Sequence, residues 1–97
     1  MNGEREKMAA MNVWLDAVCR ELDVDRAVMT EVTGPLLALI RDVAHGPTRP
    51  GAPLTAFLVG LASARAAGPD PAAQAAAVEA RVAAVARLVA DYPGEPA

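Results

Sequence analysis

"PLLALIRDVAHGPTRPGAPLTAF" runs from Pro35 to Phe57 and decides the fold class. Before Gly46, the residues Leu36, Leu37, Ile40, Val43 and Ala44 recur at the spacing of one helical face. After Gly51, Pro53 opens another helix with Leu54, Phe57, Leu58, Leu61 and Ala62 as its apolar face. The stretch between them, rich in proline and glycine, reads as a loop. The unit is helix, stiff corner, helix, with no segment of period-two alternation that would make a strand.

The same pattern extends outward in both directions. Toward the N-terminus, Trp14, Leu15, Val18, Cys19 and Leu22 form one apolar stripe behind Asn12, a residue able to cap a helix. Asp25 can cap a short helix from Arg26 to about Val32. Thr33 as cap with Pro35 in the first turn then separates that short helix from the one that follows. Toward the C-terminus, Gly68 stops a helix and Asp70-Pro71 starts the last one. Its larger apolar residues, Val78, Val82, Val85, Val89 and Tyr92, are spaced 4, 3, 4, 3, a heptad seam set among alanines. The expected fold is all-α: a small bundle of four main helices plus one short helix. Residues 11–92 form a single helical domain between a flexible lead-in, 1–10, and a flexible tail, 93–97.

Composition bounds the function. The 97 residues carry 9 Lys+Arg against 12 Asp+Glu, a net charge of −3. No basic face emerges, so nucleic acid is not an expected partner. One cysteine, Cys19, and one histidine, His45, can build neither a disulfide nor a zinc or iron–sulfur set. The charged N-terminus lacks the apolar core of a signal peptide, and the longest apolar run, 52–64, is too short to cross a bilayer. A soluble, cytoplasmic protein is expected. Only three residues are aromatic and much of the apolar content is alanine, which buries little area, so burial gained by oligomerising is expected as well.

Five residues around the corner could form a site: Arg41, Asp42, His45, Thr48 and Arg49. On a helix, Arg41 and Asp42 stand one turn before His45, and the loop brings Arg49 near. Two arginines and a histidine could bind a phosphate or carboxylate, with Asp42 orienting the imidazole. The same residues also serve to end a helix: His45 against the dipole, Gly46 in a left-handed turn, Asp42 paired with an arginine. Trp14 reads either as a core anchor or as a dimer anchor. The seam of Val78, Val82, Val85 and Val89 reads either as internal packing or as a dimer interface. Cys19 on an apolar stripe reads as a small buried hydrophobe. Glu21, Asp23 and Asp25 lack the glycine and closing glutamate of a calcium loop and read as a solvated turn with a cap. No phosphate loop, dinucleotide fingerprint or carboxylate pair beside a nucleophile occurs, and neither a cofactor nor a metal is expected.

Three stretches together, "MNVWLDAVCRELDVD", "LLALIRDVAHGPTRPGAPLTAFLVGLA" and the alanine-rich final helix, resemble a small actinobacterial helical domain family of unknown function. The matching positions are Trp14, Leu15, Glu21 and Leu22, then the run from Leu36 through Arg41, Asp42, His45, Arg49, Pro50 and Pro53 to Gly60. The resemblance covers most of residues 11–92. Such domains occur alone and fused to proteins like the molybdenum cofactor guanylyltransferase. The resemblance therefore implies an accessory role around molybdopterin guanine dinucleotide synthesis, with a molybdenum cofactor biosynthesis protein as a partner. It does not imply transferase chemistry, because that enzyme's nucleotide loop and magnesium-binding aspartates are missing. The reading is a non-catalytic, homodimeric accessory module that binds a partner protein or an anionic ligand. The alternative is a purely structural homo-oligomerisation domain.

Overall fold

The computed structural model describes residues 2–93. It holds four helices, α1 (Asn2–Leu22), α2 (Arg26–His45), α3 (Gly51–Ala67) and α4 (Pro71–Asp91), and no strand among the described residues. The chain is an all-α small bundle. α2, α3 and α4 pack against one another, whereas α1 packs on α2 alone. The result is a slab of 45 × 38 × 19 Å, about two helix diameters thick.

The helix starts follow the capping chemistry. The Asp25 carboxylate accepts from the Ala27 N–H at 2.9 Å, and the Asp70 carboxylate accepts from the Ala73 N–H at 2.9 Å, with Pro71 in the first turn. Each satisfies a donor that the helix itself leaves orphaned. α1 ends on a left-handed Asp23, φ 56°. The Asp23 N–H there donates to the Arg20 carbonyl and the Val24 N–H to the Cys19 carbonyl. That is a Schellman ending with aspartate in glycine's usual place.

The core is built from Val28, Val32, Leu39 and Val43 of α2, Ala52 and Val59 of α3, and Ala75 and Val78 of α4. Ser63 is buried too, and its hydroxyl donates to the Val59 carbonyl at 2.6 Å, so among the described residues no buried side-chain polar atom is left unpaired. Cys19 is a buried free thiol.

The short second helix expected from Arg26 to Val32 does not stand apart: α2 runs unbroken through Pro35. The proline lacks the N–H that would reach Glu31, and a proline inside a helix costs about 3 kcal/mol. Packing offsets that cost. Val28, Val32, Leu39 and Val43 step by 4, 7 and 4 residues, one stripe that stays in register only if the helix continues. The same register keeps Leu36, Ile40, Val43 and Ala44 on the core side as the sequence indicates, but it places Leu39, 2% exposed, inside and turns Leu37 outward.

Three further expectations are corrected. α1 begins at Asn2, so Asn12 is not a cap. Its side-chain oxygen accepts from Arg26 Nη2 at 3.1 Å, while Arg26 Nε donates to Asp16 at 2.7 Å. One arginine at the start of α2 thus grips two residues one turn apart on α1. α3 begins at Gly51 rather than Pro53 and faces inward with Ala52, Val59 and Ser63. Leu54, Phe57, Leu58 and Leu61, expected to be its core face, are exposed. Of the expected tail, residues 94–97 lie outside the described residues.

Two outcomes test these points. Pro35→Ala restores a helical hydrogen bond and should raise stability by up to about 3 kcal/mol in chemical denaturation; a loss of stability would show that the proline serves a break. Arg26→Ala should change global stability by no more than about 1 kcal/mol, since the pair is partly exposed. It should nevertheless speed amide exchange along α1, and unchanged exchange there would refute the clamp.

Candidate functional site

The corner between α2 and α3 is built from backbone upward. At the end of α2 the Val43 carbonyl accepts two N–H groups, from Gly46 at 3.2 Å and Thr48 at 3.1 Å. Gly46 adopts φ −106°, so it is not in the left-handed conformation expected of it. Space explains the glycine instead: a Cβ there would lie 2.9 Å from the Asp42 carbonyl oxygen. Thr48 Oγ1 accepts from the Gly51 N–H at 3.3 Å, and the Ala52 N–H donates to the Arg49 carbonyl at 3.2 Å. Because Pro50 offers no side-chain cap, Thr48 supplies that function from two residues upstream.

The five candidate residues therefore divide. Thr48 holds the corner's shape. Arg41 and Asp42 are exposed and pair with each other through Nε at 3.8 Å, a contact of little energetic weight in water. His45 and Arg49 are exposed, and among the described residues neither takes part in an ion pair. Asp42 does not hold the imidazole, so the expected orienting contact is not formed. Beneath the corner lies a groove of about 140 Å³, walled by Val43, Pro47, Thr55, Leu88, Val89 and Tyr92. Its lining is apolar apart from Thr48, Thr55 and the Tyr92 hydroxyl.

The interface candidates divide as well. Val78 is buried, and Val82, Val85 and Val89 pack against the core. The heptad seam is thus engaged within the chain, against α2 and α3. Trp14 is 66% exposed on α1, where it borders an open apolar surface with Val18 and Leu22. It is not a core anchor of the single chain.

Two features escaped the sequence reading. The Arg26 clamp was hidden because Asn12 was read as a helix start. The exposed face of α3 was hidden because its large residues were read as core. The signal for it was present: between Gly51 and Ala67 the sole charged residue is Arg65.

Chemically, the corner offers guanidinium donors and an imidazole to an anion. The one thiol is buried on α1, and no group of three or more potential metal ligands occurs among the described residues. Gly46→Ala should cost about 1–3 kcal/mol through overpacking against Asp42, read by thermal denaturation. A neutral outcome would mean that the backbone at the corner can shift.

No curated protein and no solved structure matches this chain. A family model does match: that of DUF6457, a domain of unknown function, over residues 6–97. The matched span includes the corner and all of α2, α3 and α4, and on that coverage the chain belongs to this family of unknown function.

Proposed function

We propose that this chain is a non-catalytic accessory module that takes hold of an anionic group, on a partner protein or a phosphate-bearing ligand, at the α2–α3 corner. Arg41, His45 and Arg49 are the donors. The observation that carries the reading is their condition in the folded chain: exposed, with Asp42 at 3.8 Å as the one ion-pair partner among them. Exposed guanidinium groups with one long ion pair between them suit bidentate contact with phosphate or carboxylate. Charge distribution supports it, since residues 43–69 contain Arg49, Arg65 and His45 but no carboxylate, in a chain of net charge −3. Thr48 accepts one hydrogen bond and keeps its own proton to donate. The rigid corner supports it too, because Pro47 and Pro50 restrict the loop that carries Arg49.

The context we propose is molybdenum cofactor biosynthesis, in the cytoplasm, on the strength of the resemblance to domains that accompany guanylyltransferase-like proteins. A second reading, a homo-oligomerisation domain without ligand, rests on a different observation, the exposed apolar face of α3.

Arg41→Ala and Arg49→Ala should each change stability by less than about 0.5 kcal/mol, being surface substitutions. Pyrophosphate and guanine nucleotides at one hundred times their dissociation constant should stabilise the wild-type protein by about 2.7 kcal/mol. That gain, read as a thermal shift, should vanish in Arg49→Ala. A shift that survives both substitutions removes the corner as the site.

A further inference from the structure

α3 is apolar on both sides. Its inner side carries the small residues Ala52, Val59 and Ser63. Its outer side carries Leu54, Phe57, Leu58 and Leu61, exposed by 64, 64, 60 and 49%. At 100° per residue, these four fall within one stripe opposite the buried one, at the i, i+3, i+4, i+7 spacing of a packing face. Among the described residues no other helix covers them. A helix apolar all round belongs inside an assembly.

We propose that a second copy of this chain covers this stripe, with the two α3 helices packed antiparallel about a two-fold axis between Phe57 and Leu58. Three observations select this occupant. The first is area. Four side chains exposed to this degree present on the order of 500 Å² on each copy, so a pair buries about 1,000 Å², the lower bound for a specific interface. The second is charge. The face has no carboxylate, and its one charged neighbour is Arg65, so two identical faces meet without like charges at their centre. A basic partner segment would find no counter-charge there, and an acidic one would find only Arg65, at the end of the stripe and not at its centre. The third is direction. A parallel pair would set the two Arg65 side chains next to each other. The antiparallel pair separates them by about 22 Å along the axis, beyond the screening length of about 8 Å. Gly60 and Ala64 flank the stripe and are exposed, and nothing lies within 4 Å of a Cβ placed on Gly60, so the partner backbone can come close.

This inference is independent of the anion site, and its test separates the two. Light scattering after size exclusion should give twice the 10.0 kDa chain mass. Leu58→Lys should give the single mass with the helical circular dichroism and a cooperative melt retained, since residue 58 is exposed in the single chain. Arg49→Ala should leave the dimer intact. In a Cys19→Ala background, Leu58→Cys should form an inter-chain disulfide on mild oxidation. Leu54→Cys should not, because its mate lies about 10 Å along the axis, beyond disulfide reach. A wild-type chain that stays monomeric at 100 µM, an occupant other than a second copy then being required, overturns the proposal. So does a dimer that Leu58→Lys leaves unchanged, or equal cross-linking at both positions. A monomer that still shows the Arg49-dependent shift would sink this proposal and leave the anion site standing.

Discussion

The register of Val28, Val32, Leu39 and Val43 along α2 is the constraint on which the rest depends. α2 is the one helix in contact with each of the other three. A break at Pro35 would rotate the second pair of side chains away from the first and divide the core into two pieces, each too small to hold α3 and α4. Because α2 is a single rod of 20 residues, its ends are about 30 Å apart. The Arg26 clamp fixes α1 at one end, and the corner turns into α3 at the other. The two polar features of the molecule are therefore separated by the length of the helix that makes the core.

The second constraint is thickness. A slab 19 Å deep gives every helix an outward face, and the chain fills its interior with small residues. Ala52 and Val59 from α3 share the core cluster with Ala75 and Val78 from α4, and Ser63 and Ala77 are buried as well. Small side chains let helix axes approach closely, which gains dispersion contacts that alanine cannot gain through area. With the interior taken by small residues, the large ones on α3 are left outside. Leucine and phenylalanine at the surface of a 97-residue chain follow from this division of sizes and not from any failure of the helix to pack.

Much of the fold was legible in the sequence because its signals are local. Asp25 and Asp70 cap helices by chemistry contained within three residues, and Gly68 ends α3 with φ +70°. The misreadings have one shared cause, which is that a face was assigned without knowing what it meets. Pro35 following Thr33 and Gly34 satisfies every local rule for a helix start, and only the long-range register of the valines outweighs it. On α3 both faces satisfy the same periodicity. The larger side chains were taken for the core, yet the tendency of apolar residues to be inside does not say which apolar residues those are. Asn12 was read as a cap because the charged residues before it resemble a lead-in, whereas they continue the helix as its exposed first turns.

The corner was legible as a place and not as a set of roles. Glycine, threonine, arginine and proline in "HGPTRPG" mark a turn and a possible site with the same letters. Geometry separates them. Gly46 is fixed by the nearness of the Asp42 carbonyl and Thr48 by the Gly51 N–H, so their identities are accounted for by the bend itself. Nothing in the bend requires Arg49 or His45, and Arg41 needs only a solvated neighbour. The chain places seven carboxylates before Val32 and none from Val43 to Pro69. The unpaired donors and the uncovered leucines thus lie on one continuous segment, from His45 to Arg65, whose charge and apolarity differ from the remainder of the molecule. A segment that keeps acids away from its arginines, and its largest apolar side chains away from the core, is the part of the chain whose charge and apolarity the single chain leaves uncompensated, and the anion site and the α3 dimer are proposed on that ground.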